Sequence, residues 1–290
     1  MVRVGWIGIG LMGLPMCRRV LEAGHQVAVL RRGAEAVASL ATSGAEVRDQ
    51  VGDVAAGADV VVTVLPTPAE VREVYLGEGG ILAHAEPGTV CVDMTTSSPA
   101  LARELAEAGA ARDVTVLDAP VSGGPFGAES GQLSVMVGGD EVPVGHIRPI
   151  LDCVGATVVH HGPAGAGQLA KLVNQVLVAG VTQATCEAFA LAGAGGLDLG
   201  RVLQSLQAGA AGSPLTAFLW GKLAVGDAAP GFKLGHLLKD LNLALDEARE
   251  LRLELAGTAH VQASATALAG RHGADGTQLL ADAVTPGTFN

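Results

Sequence analysis

Apolar residues recur in two rhythms along this chain, and the change of rhythm divides it. Through the first half, short β-branched runs stand at 3–7, 26–30, 60–65, 90–93, 114–118, 133–137 and 157–160, each bounded by turn residues. Between them, segments such as 12–23, 68–76 and 99–110 space their apolar positions three and four apart. Pro68 and Pro99 suit a first helical turn, where a missing N–H costs nothing. Strands that alternate with helices form a parallel sheet covered on both faces. After Gly162-Pro163-Ala164-Gly165 the β-branched pattern stops, and Leu/Ala-rich helical spacing continues over 167–192, 199–208, 214–223, 234–253 and 259–271. The expected architecture is α/β: a doubly wound sheet over 1–163, then an all-helical domain over 164–290.

The first strand runs directly into Gly8-Ile9-Gly10-Leu11-Met12-Gly13, which opens the first helix. In that setting the spacing of the glycines has a physical reason. The first allows a tight turn, the second lets backbone approach a pyrophosphate, and the third lets helix and strand pack closely, with helix N–H groups facing the phosphates. A carboxylate for the ribose 2′-hydroxyl of NAD is expected at the end of the second strand, roughly 20 residues on. Leu30-Arg31-Arg32-Gly33 stands there instead. Two guanidiniums at Arg31 and Arg32 match a 2′-phosphate, which an acid would repel, so NADP(H) is expected, with NAD(H) as the alternative.

Composition narrows the partners. The chain has 18 basic against 29 acidic residues, a net charge of −11, which argues against wrapping nucleic acid or lying on an anionic membrane. With two Trp, one Tyr and five Phe, it has little from which to build a base-stacking surface. Cys17, Cys91, Cys153 and Cys186 form no C-x-x-C pair and read as reduced, buried thiols rather than metal ligands. The N-terminus lacks the basic flank and cleavage site of a signal peptide, so a cytoplasmic protein is expected. The apolar stretch 169–191 carries Lys171, Asn174, Gln175, Gln183 and Glu187, which are costly in hydrocarbon, and it reads as a core helix.

Three further motifs follow the glycine loop. Asp118-Ala119-Pro120-Val121-Ser122-Gly123-Gly124 follows a strand, on the side where doubly wound sheets gather ligands. Gly165-Ala166-Gly167-Gln168-Leu169-Ala170-Lys171-Leu172-Val173-Asn174 opens the long helix, and Phe232-Lys233 and Lys239-Asp240-Leu241 lie further on. Hydride transfer to a carbonyl leaves a developing alkoxide that needs a proton donor, and Lys171 is the expected general acid/base. Asn174, three residues along, shares its helical face and offers an amide to the substrate. Ser122 with the Gly123 and Gly124 N–H groups forms a donor nest for a carboxylate. Asp240 reads as the ion-pair partner of a neighbouring base, and His160-His161 as turn or surface residues.

Taken together, these motifs resemble the β-hydroxyacid dehydrogenase family, over nearly the whole chain. The resemblance implies an N-terminal Rossmann domain, an all-helical C-terminal domain and an active site in the cleft joining them. It further implies that Gly8, Gly10, Leu11, Met12 and Gly13, with Ile9 between them, hold the dinucleotide, and that Leu65, Pro66 and Thr96 touch it. It assigns Ser122, Gly123 and Gly124 to the substrate carboxylate, Lys171 to catalysis, Asn174 to substrate orientation and Lys239 to a place near the cofactor. Family members often carry a second Asn after Asn174; Gln175 stands here, with amide chemistry retained. The small loop 208–214 points to a small substrate. Two other functions fit parts of the pattern: an imine reductase, whose relatives usually replace the lysine, and a nucleotide-binding regulatory module without catalysis. The apolar helical half also predicts a homodimer or homotetramer.

Overall fold

Strand β1 (Arg3–Ile7) leads through the glycine loop into α1 (Gly13–Glu22), and the alternation then continues to the end of the sheet. The elements in order are β2 (Gln26–Leu30), α2 (Ala34–Thr42), β3 (Glu46–Arg48), α3 (Val51–Ala55), β4 (Val60–Thr63), α4 (Pro68–Leu76) and α5 (Ile81–His84). There follow β5 (Val90–Asp93), α6 (Pro99–Ala110), β6 (Thr115–Asp118), β7 (Val121–Ser122), α7 (Gly124–Ser130), β8 (Leu133–Gly138), α8 (Glu141–Val154) and β9 (Gly155–Gly162). Helices α9 (Ala166–Ala194), α10 (Leu199–Ala208), α11 (Pro214–Ala224), α12 (Leu234–Glu250), α13 (Ala256–His272) and α14 (Ala281–Val284) complete the chain. This computed structural model describes residues 1–289. Two compact units emerge, Met1–Lys171 and the chain from Leu172 onward, so the division falls inside α9.

In the first unit the strands lie in the order β3-β2-β1-β4-β5-β6-β8-β7, with β9 beside β8. The first six are parallel, in the order typical of dinucleotide-binding sheets, while β8 runs antiparallel to β6. Successive side chains point to opposite faces, which is why a continuous apolar run is needed in a sheet buried on both sides. In β4, Val60 and Val62 join one core layer with Trp6, Met16 and Leu117; Val61 joins the other with Ile7, Tyr75 and Leu105. Thr67 and Ser98 cap α4 and α6 by accepting N–H bonds from Glu70 and Leu101, and Pro68 and Pro99 fill the first turn behind them.

The sequence pattern did not mark β3 and β7, which have three and two residues, too few to show a period. Helix α8 was also unmarked, and it holds Pro149 in its interior. His160 and His161 are exposed surface residues as expected, but they belong to β9 rather than to a turn, with His160 Nε2 2.7 Å from the Gly139 carbonyl oxygen. In the second unit, Leu234, Leu237 and Leu241 of α12 pack with Val261 and Ala265 of α13 and with Ala179 and Cys186 of α9. Each such fully buried Leu stabilises the fold by about 1.5–3 kcal/mol.

Candidate functional site

The glycine loop is shaped by what a side chain would meet. Gly8 adopts φ 104°, a conformation that favours glycine, and a Cβ there would strike the Val64 carbonyl oxygen. A Cβ on Gly13 would strike the Gly8 carbonyl oxygen, so α1 can start this close to β1 only without a side chain. Gly10 differs: nothing lies within 4 Å of the position its Cβ would take. Its backbone thus faces open space, as a surface that receives phosphate must. Met12 stands at the N-cap of α1, Ile9 is buried, and Leu11 is exposed. The residues present therefore fit a dinucleotide pyrophosphate at the amino end of α1.

Apart from Lys239, which lies on α12, the other cofactor candidates also follow carboxyl ends of parallel strands. Arg31 and Arg32 follow β2, Leu65 and Pro66 follow β4, and Thr96 follows β5. Arg31 Nε stands 2.5 Å from Asp49 Oδ1 in an exposed ion pair, which contributes at most about 1 kcal/mol. The loops after β4 and β5 are tied together, because Leu65 N–H donates to Thr95 Oγ1 at 2.9 Å. Beneath them, Asp93 accepts from Thr63 Oγ1 at 2.8 Å and from the Thr95 N–H at 3.1 Å. Burial pushes the Asp93 carboxyl up to about 6, against the pull of the Thr95 and Thr63 donors.

Ser122 ends β7, which pairs with β8 through Ser122 and Ser134. Gly123 and Gly124 open α7 directly after it. At the end of β6, Asp118 accepts backbone N–H bonds from Gly165 (2.8 Å) and Gln168 (2.7 Å). Burial raises its carboxyl above the ordinary range, opposed by those same N–H donors. A carboxylate thus caps the amino end of α9, where the helix dipole favours it. Gln168 is fully buried; its Nε2 donates to the Thr95 carbonyl and its Oε1 accepts the Ser97 N–H, both at 2.8 Å. Lys171, three residues further along α9, is only 6% exposed.

The second unit holds the remaining candidates. Asn174 Nδ2 donates to Gln175 Oε1 at 2.8 Å, and Gln175 Nε2 donates to Asp240 Oδ2 at 2.6 Å. Lys239 Nζ stands 2.9 Å from Asp240 Oδ1. Asp240 is therefore the ion-pair partner of Lys239 and is also joined through Gln175 to the Asn174 amide. The first unit brings the glycine loop, Arg31, Arg32, Leu65, Pro66, Thr96 and the Ser122–Gly124 loop to strand ends on one side of its sheet. Lys171 lies one turn beyond the pinned start of α9. Asp93, Thr95, Asp118 and Gln168 received no role from the sequence, although Asp118 and Gln168 lie inside its motifs. The one signal for Gln168 was a polar residue on the helical face of Lys171.

Comparison with known proteins extends this geometry. Residues 3–162 match the family model described as the NAD binding domain of 6-phosphogluconate dehydrogenase. Residues 165–282 match the model described as the NAD-binding domain of NADP-dependent 3-hydroxyisobutyrate dehydrogenase. A 3-hydroxyisobutyrate dehydrogenase of Pseudomonas aeruginosa is 36% identical over 259 residues, 87% of each chain. A 2-hydroxy-3-oxopropionate reductase of Escherichia coli is 37% identical over 267 residues, 90% of this chain and 89% of that one. Among solved structures, the 3-hydroxyisobutyrate dehydrogenase of Mycobacterium tuberculosis with L-serine superposes with a TM-score of 0.89 at 31% identity, covering 98% of this chain and 99% of the other. The chain belongs to the β-hydroxyacid dehydrogenase family of NAD(P)-dependent oxidoreductases acting on CH–OH groups, with a Rossmann domain followed by a helical one.

Proposed function

We propose that this protein is an NADP(H)-dependent dehydrogenase of the 3-hydroxyisobutyrate type, interconverting a small β-hydroxyacid and its semialdehyde. The observation that carries the reading is Lys171: a nearly buried amine, one turn from a helix start that is pinned to the carboxyl ends of β5 and β6, on the edge of the sheet that also carries the glycine loop. When bound, the nicotinamide supplies or accepts the hydride. Lys171 Nζ delivers a proton to the carbonyl oxygen as the new C–H bond forms and the C=O electron pair moves to oxygen. In the opposite direction the neutral amine takes the hydroxyl proton as the hydride leaves carbon. Ser122 and the Gly123 and Gly124 N–H groups hold the substrate carboxylate, and Asn174 orients the substrate through an amide braced by Gln175.

Arg31 and Arg32 support the choice of NADP(H), because guanidinium forks match the oxygens of a 2′-phosphate and the ion pair that Arg31 makes with Asp49 is exposed and weak. The four cysteines are free, consistent with a reducing compartment; Cys17, Cys91 and Cys186 are buried as expected, whereas Cys153 is only half-buried. Leu169, Val173, Leu177 and Leu191 stand exposed along α9 and support a homodimer or homotetramer closed over that helix. The test is the rate of NADPH and NADH consumption with semialdehydes, glyoxylate and cyclic imines, and of NADP+ reduction with 3-hydroxyisobutyrate. Turnover of semialdehydes with a kcat/KM favouring NADPH is expected. Turnover of imines alone would make it an imine reductase, and none with any compound would make it a non-catalytic nucleotide-binding module.

A further inference from the structure

We infer that Gln168 is a positioning residue, which holds the loop around Thr96 in register with the helical turn that carries Lys171. Its carboxamide bonds on both sides of Thr96: Nε2 donates to the Thr95 carbonyl and Oε1 accepts the Ser97 N–H. One rigid, fully buried group thereby spans the segment assigned to the cofactor. Its backbone is fixed in turn, since the Gln168 N–H donates to Asp118 Oδ2. The neighbouring Gly167 lies so close to the sheet that a Cβ would strike the Met136 carbonyl oxygen and come within 2.8 Å of the Gly138 nitrogen. The helix start therefore cannot slide relative to β6 and β8.

Lys171 is three residues on, about 4.5 Å along the axis and on the same helical face. Thr95 also ties the β4 loop through Leu65, so a displacement at Gln168 reaches both the Leu65–Pro66 loop and the Thr96 loop. Proton and hydride delivery to one carbonyl must be aligned, and a 1 Å misplacement costs on the order of a hundredfold in rate. Asp118 and Gly167 already anchor the helix to the strands; the distinct contribution of Gln168 is to clamp a loop. This inference rests on the reading of Lys171 as the proton donor.

Gln168→Leu keeps the volume and removes both side-chain bonds. In the protein without cofactor, exchange of the Ser97 amide hydrogen should accelerate at least about tenfold while the amides of β5 keep their protection. The Kd for NADPH, read by fluorescence titration, should stay within about threefold, and kcat for 3-hydroxyisobutyrate with NADP+, counted per NADPH-binding site, should fall about 10–100-fold. A purely structural role would lower the number of binding sites and leave kcat per site unchanged. Gln168→Glu keeps an oxygen for the Ser97 N–H and should fall between the two. Wild-type kcat per site in Gln168→Leu, or in Gln168→Glu should the leucine variant not fold, overturns the inference. Lys171→Ala, assayed alongside, separates the layers: retained turnover there removes the underlying reading, whereas its collapse with unaffected Gln168 variants removes only this one.

Discussion

Lys171 is where the chemistry of a single residue carries most weight. A lysine on an amphipathic helix usually snorkels its amine to water; this one is 6% exposed. Lys171→Ala should lower turnover roughly 10²–10⁴-fold, the share general acid–base catalysis ordinarily supplies, with NADPH affinity retained. Turnover near that of the wild type in a steady-state assay would contradict the assignment. Asp93 makes a second residue-level prediction. Its carboxyl is raised from 3.8 to about 6, chiefly by burial. A carboxyl raised in the folded state contributes stability that is fully present below its unfolded value and is lost as pH rises through about 6. Asp93→Asn has no such titration, so its melting temperature should gain on the wild type by roughly 2–4 °C or more between pH 4 and pH 8. An equal offset at both pH values would show that Asp93 does not carry this cost.

At the scale of the element, the turn from β1 into α1 separates folding from binding. A methyl group at Gly13 has no room, since it meets the Gly8 carbonyl oxygen. At Gly10 it meets nothing. Gly13→Ala should therefore destabilise the fold by about 1–3 kcal/mol, as forced overpacking does. Gly10→Ala should melt within about 1 °C of the wild type yet bind NADPH at least about tenfold more weakly, because its methyl occupies the approach of the pyrophosphate. Thermal unfolding and fluorescence titration of the two variants check this, and full NADPH affinity in Gly10→Ala would remove the pyrophosphate from this loop. The elements themselves were largely readable. Helix α10 occupies the residues its period predicted, and α9 and α12 differ at their ends, where helices fray and local spacing fades. Strands β3 and β7 escaped because two or three residues carry no period; only the neighbours that pair with them make them strands.

At the scale of the whole molecule, α9 carries an apolar stripe that stays exposed within one chain. It is long and apolar enough, by length and composition, to cross a membrane, and one third of its most apolar window is buried. Its inward face carries Gln168, Lys171, Gln175 and Gln183, all bonded or placed within protein. Its outward stripe of Leu169, Val173, Leu177 and Leu191 is apolar. Sedimentation should find a homo-oligomer at micromolar concentration, and Leu177→Glu should shift it toward the monomer by burying a charge in the contact. A monomeric wild type would contradict the assignment of that stripe.

The amino-acid order alone determined what depends on near neighbours. Strands and helices follow from periods of two and 3.6, and the glycine loop from the G-x-G-x-x-G spacing, although the Val64 carbonyl that denies Gly8 a side chain is a tertiary neighbour. The Lys171–Asn174 pairing on one helical face follows from helical geometry. The tertiary structure alone decided which polar groups meet. Gln168 finds Thr95 and Ser97 across more than seventy residues, and Gln175 finds Asp240 across 65. No local rule selects such partners, because a buried amide accepts any donor and acceptor that folding brings within reach, and only the packed sheet and helices specify which those are.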